Sequence, residues 1–251
     1  MSRIKKFIKE PTLNSGFPTI GKIKVGMKSA KGYPTSLDYF VADGKYASLF
    51  SQSYGEKPNS ITVVFMSDNI SEVCNQRYEL RDNSGALFAD GDGENFRVYN
   101  RGSDSYVSCS ISDYPNLLEQ VVAKSGSRKG WEVALTLRFM LPEIKGVFGL
   151  WQFTTKGEAS SVPAIVGAFD NVQQHAGTVV GVPFDLQVEK IKSQKPNSRS
   201  TFPIVRLIPN ISEPNIRKLA SMKASGQDLQ KFGLLTDETI NQIEQPKQLE
   251  E

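Results

Sequence analysis

Three acidic side chains at alternating positions, Asp90, Asp92 and Glu94, are the first residues whose types and spacing suggest chemistry. Carboxylates on one face of an extended segment can offer oxygens to a hard cation. Gly91 and Gly93 separate them, so the same run also reads as a hairpin turn. A calcium loop needs glycine at its sixth position and glutamate at its twelfth. Counted from Asp90, those positions hold Asn95 and Arg101. The turn is therefore the expected reading, and no metal or other cofactor is expected. A metal-dependent hydrolase would have to use these three acids.

Nucleophilic chemistry has little to work with. Cysteine catalysis would require His175, the one histidine, beside Cys74 or Cys109. The bland reading is favoured: the cysteines behave as apolar residues, and His175 sits at a helix C-terminus near Gly177. A single histidine excludes a zinc site built on two or more. Complete phosphate-loop, dinucleotide-binding and Gly-x-Ser-x-Gly motifs are absent.

Binding chemistry is better represented. Thr155, Lys156 and Gly157 follow a strand, and Ser161 opens a helix that carries Pro163 in its first turn. A lysine, hydroxyls and free helix N–H groups together make an anion-sized site, while the alternative is an ordinary turn before a helix. Trp151 and Phe153 share one face of the preceding strand. They would serve either as a base-stacking surface or as core. Two basic segments, Lys22 with Lys24 and Lys190, Lys192 and Arg199, are placed to touch a polyanion.

Charge is unevenly spread over the 251 residues, whose net is +3. Residues 1–31 carry eight basic groups and one acid, and residues 236–251 carry five acids and one base. A basic head and an acidic tail on a neutral body suit a polyanion-binding surface, or solvated charge that serves solubility alone. No run of 18 apolar residues is present, so no membrane span is expected. The basic first residues lack the apolar core of a secretory signal.

Several elements must hold these residues. A strand is expected over residues 22–27, and a helix in the 38–54 region, where Phe40, Tyr46, Leu49, Phe50 and Tyr54 are aromatic or apolar. Residues 61–66 read as a strand, and residues 77–111 as a β-meander with turns at 82–85 and 91–93. A helix is expected from Asp113 to Gly126. Residues 131–141 and 147–155 form a hairpin, and 161–177 a helix with Gly177 as its stop. Strands follow at 181–192 and 201–208. The periodicity predicts an α+β fold, a largely antiparallel sheet of about seven strands with three or four packed helices. The expected divisions are a basic arm (1–20), one α+β domain (21–210) and a helical, acidic-ended tail (211–251), loosely attached.

Cys74 with Arg77-Tyr78-Glu79-Leu80, Gly91-Asp92-Gly93, Gly146-Val147-Phe148-Gly149-Leu150-Trp151 and Thr155-Lys156-Gly157 form a spaced set of short motifs. Over roughly residues 17–210 this set resembles the phage recombination directionality factor-like proteins, relatives of the factor that turns a large serine integrase from integration to excision. The best-known members carry additional cysteines that look zinc-binding near the Gly-Asp-Gly region, and this chain has no such set. The resemblance implies a non-enzymatic accessory protein of phage or mobile-element DNA transactions, in the cytoplasm of a bacterial host. Its partners would be DNA, single-stranded DNA included, and a recombinase, integrase or replication protein. The alternative is a sequence-nonspecific single-stranded DNA-binding protein.

Overall fold

The computed structural model describes residues 17–28, 34–113, 116–193 and 200–243. Eleven strands and six α-helices lie in this part of the chain. The architecture is α+β, as the periodicity predicts, with more strands and helices than expected.

The large sheet has eight strands: β1 (Thr19–Lys28), β2 (Pro34–Asp43), β4 (Cys74–Arg81), β5 (Leu87–Gly91), β6 (Asn95–Asn100), β7 (Ser105–Ser110), β8 (Trp131–Phe139) and β9 (Leu150–Thr155). Their order is β2-β1-β9-β8-β4-β5-β6-β7, and only β1 and β9 run parallel. A small sheet places β10 (Pro183–Lys192) between β11 (Thr201–Pro209) and β3 (Ser60–Val64). The two sheets meet where Val64 and Met140 exchange both backbone hydrogen bonds, and where Phe40 N–H donates to the Pro58 carbonyl.

The helices are α1 (Ala47–Tyr54), α2 (Ile70–Val73), α3 (Leu117–Ser125), α4 (Ser161–Ala176), α5 (Glu213–Ala224) and α6 (Asp237–Ile243), with a 3₁₀ turn at Leu229–Phe232. Gly177 ends α4 in the left-handed conformation, φ 72°, and its N–H returns to the Gln173 carbonyl.

The helix expected over 38–54 is only half right. Residues 34–43 are strand β2, paired antiparallel with β1, and helix begins at Ala47. Tyr39, Phe40 and Val41 favour strand, and pairing with β1 outweighs the helix-like spacing of the aromatics. The meander, its turns and the β8–β9 pairing stand where the sequence places them.

One face of the large sheet is apolar. Ile23, Cys74, Leu135, Leu137, Trp151 and Phe153 join the small sheet and α4 in the main core. At the far end, α3 covers a second cluster through Leu117 and Val121, packed on Leu80, Phe88 and Phe96. The C-terminal segment is helical, but it is not loosely attached. Leu219, Leu229, Leu235 and Ile240 are buried in the main core.

Candidate functional site

The opposite face of the large sheet is polar across six strands, because side chains alternate along each strand. On β1 it shows Lys22, paired with Gln152 of β9, and Lys24, and on β9 it also shows Thr154. On β8 it shows Glu132, Thr136 and Arg138, and on β4 it shows Asn75, Arg77, Glu79 and Arg81. Asp90 on β5 and Arg97 on β6 complete it.

An ionic network occupies the β4–β6 side. Glu79, 1% exposed, accepts from Arg77 Nε at 2.8 Å and from Arg81 Nε at 3.0 Å. Burial pushes the Glu79 carboxyl up, but the charges and hydrogen bonds of Arg77 and Arg81 outweigh it and hold the carboxyl below its ordinary value. Asp90, fully buried, takes a two-pronged contact from Arg97, Nε to Oδ1 at 2.9 Å and Nη2 to Oδ2 at 2.6 Å. Arg77 Nη1 stands 3.6 Å from Asp90, linking the two carboxylates.

The centre is less charged. Thr136 Oγ1 and Thr154 Oγ1 are 3.2 Å apart, and Gln152 Nε2 donates to Thr154 at 3.3 Å. Asn75 is buried with neither amide atom hydrogen-bonded. Arg138 is buried, and that burial, then the charge of Arg77, lowers its pKa. On the β1 side Lys22 and Lys24 are exposed, and Lys24 pairs with Asp43.

The residues expected to form the anion site are each taken up by bonds within the protein. Lys156 Nζ donates to Glu132 at 2.5 Å and stands 3.9 Å from Glu79. Thr155 Oγ1 accepts the Gly157 N–H. Ser161 is buried, and its Oγ accepts the Val205 N–H at 3.0 Å, which ties the start of α4 to β11. The Gly157 carbonyl takes the Ser160 and Val162 N–H groups. Gly157 keeps an ordinary φ; a Cβ there would crowd the Ser160 and Ser161 hydroxyls at 3.0 and 3.1 Å.

Trp151 and Phe153 are corrected outright. They are 1% and 0% exposed and lie in the main core, so they offer no stacking surface. The sheet is covered on that side, and burying two large aromatics outweighs any surface use. The acids of the 90–94 turn are also spent: Arg97 holds Asp90, and Asp92 Oδ1 accepts the Glu94 and Asn95 N–H groups as a turn. No group of three metal-binding side chains exists among the described residues.

Lys22, Lys24 and Lys156 therefore share the polar face. Lys190 and Lys192 lie exposed on β10 in the small sheet, so the structure does not join them to it. Arg199 lies outside the described residues. Sequence reasoning missed Arg77, Arg138, Gln152 and Thr154. The signal was present as the polar phase of β4, β8 and β9, alternating with the apolar phase that marked those strands.

The fold and the candidate site together define an α+β protein whose mixed eight-stranded sheet carries one polar, arginine-rich face. The family model described as Gp3-like, recombination directionality factor-like, matches residues 20–210. The chain belongs to that family. No curated protein and no solved structure matches it.

Proposed function

We propose that this protein is a non-enzymatic accessory factor of phage or mobile-element DNA recombination. It binds a recombinase and contacts DNA through the polar face of the large sheet, within the cytoplasm of a bacterial host. Family membership over residues 20–210 carries this reading. The polar face supports it, because Lys22 and Lys24 are exposed and Lys22 is paired with Gln152. Phosphate contacts of this kind supply affinity without reading sequence. Among the described residues no helix is long and apolar enough to cross a membrane. Single-strand binding by stacking loses its support, since Trp151 and Phe153 are in the core.

The test is duplex-DNA binding by fluorescence anisotropy across a salt series. Removing one lysine–phosphate pair should reduce the salt slope by about 0.9. The double variant Lys22→Ala/Lys24→Ala is expected to flatten the slope by one to two such steps, and Lys190→Ala/Lys192→Ala is expected to keep the wild-type slope. An unchanged slope for the first variant would remove β1 from the interface. Capture of a purified serine integrase, scored separately, tests the recombinase partner.

A further inference from the structure

β7 forms the outer edge of the large sheet, and among the described residues no strand pairs with its free side. Its sequence is Ser-Tyr-Val-Ser-Cys-Ser. Charges, prolines and bulges normally keep such edges from pairing, and β7 has no charge, no proline and no register shift against β6. The Ile111 N–H bond to the Glu94 carbonyl extends the β6–β7 ladder by one pair and fixes its alternation. Ser105, Val107 and Cys109 therefore turn their backbone groups toward β6, while Tyr106 and Ser108 turn theirs outward. Tyr106 and Val107 are 44% and 48% exposed, one on each face of the strand.

A cavity of about 570 Å³ opens beside this edge, between β6–β7 and α3. Val98, Val107, Leu117 and Val121 give it apolar walls. The charged residues that line it are Arg101 and Lys124, both cationic. An unpaired strand edge, an apolar groove and a cationic rim point to one occupant. A strand added to an edge gains main-chain hydrogen bonds, and its alternate side chains fill pockets.

We propose that β7 and the groove under α3 bind an extended protein segment whose every second residue, on its groove-facing side, is apolar or acidic, added as a ninth, antiparallel or parallel, strand of the large sheet. The apolar side chains enter the groove beside Val107, and the carboxylates meet Arg101 and Lys124. A second copy of the chain is less suited, because β7 is neutral and brings no carboxylate to the rim. The proposal rests on reading the chain as a protein that works by binding protein partners.

The experiment titrates the full chain into a fluorescein-labelled ten-residue peptide with threonine at every second position and valine and glutamate in turn between the threonines, so that both face the groove. Saturable binding is expected, with hydrogen-exchange protection of the Tyr106 and Ser108 amides. A valine–lysine peptide should bind at least tenfold more weakly, as should the glutamate peptide to Arg101→Glu/Lys124→Glu. Methylating every second peptide nitrogen, in the two possible phases, should abolish binding in one phase and spare it in the other. That control leaves the protein untouched, so it does not depend on a variant folding. Three results overturn the proposal: no binding of the valine–glutamate peptide, binding indifferent to N-methylation and charge reversal, or concentration-dependent dimerisation abolished by Val107→Lys. Failure to bind the valine–glutamate peptide, with an integrase still captured, would overturn this site and leave the accessory reading standing. Peptide binding without integrase binding would do the reverse.

Discussion

Glu79 shows how the polar face is held together. Its carboxylate is buried between Arg77 and Arg81, and removing one partner of such a pair strands the other charges. Its folded pKa lies below the unfolded value, so the folded state binds fewer protons there than the unfolded state does. The stabilisation is complete above the unfolded value, about 4.3, and is lost as pH falls through the lower folded value. Thermal midpoints should therefore fall as the pH drops below about 5. Glu79→Gln should destabilise the protein at pH 7 by about 3 kcal/mol and flatten that acid limb. Asp68 leaves a residual slope. Burial raises its pKa, but hydrogen bonds from Lys223, Thr178 and Val179 outweigh this and lower it. A Glu79→Gln variant with the full wild-type slope would exclude Glu79 as a linked group. At this scale the sequence showed charge but not pairing: Lys156 reads as a free loop lysine until β8 brings Glu132 beside it.

At the scale of elements, the parallel β1–β9 pair is the least expected feature, and one glycine permits it. A Cβ on Gly21 would lie 2.3 Å from Trp151 Cζ3, so the indole ring occupies the space that a side chain would need. Gly21→Val should displace Trp151 or part β1 from β9. Overpacking of this kind costs typically about 1–3 kcal/mol. A lower denaturation midpoint with altered tryptophan fluorescence is expected, and a wild-type midpoint would mean that the pair adjusts freely. Strong local patterns were legible here. The meander, the β8–β9 pairing and α4 all lie where periodicity and turn residues put them. β2 was misread because Leu37, Phe40 and the aromatics that follow have a spacing that fits either period, and only the partner strand decides.

For the molecule as a whole, the last described helix, α6, is part of the core. Ile240 is fully buried, and Asp237 accepts the Ser212 N–H at 2.9 Å and the Asn215 Nδ2 at 2.8 Å, joining α6 to α5. Deleting residues 236–251 removes both. Removing a buried isoleucine alone costs about 2–5 kcal/mol. For a chain of this size that corresponds to a fall in Tm of roughly 5–15 °C. Calorimetry of the truncated chain checks this; an unchanged Tm would restore the peripheral tail that its polar sequence suggests.

The sequence by itself determined the α+β class, most strand positions, the family motifs and the poverty of catalytic groups. Each depends on residue type, on short-range periodicity or on turn chemistry, which a linear chain displays directly. Only the tertiary structure decided which face of each strand meets solvent. Trp151 and Phe153 became core, while Arg77, Arg138, Gln152 and Thr154 were gathered from three strands onto one polar face. Alternation says that a strand has two faces. The choice between them is made by what packs against the sheet, and that packing joins residues far apart in the chain.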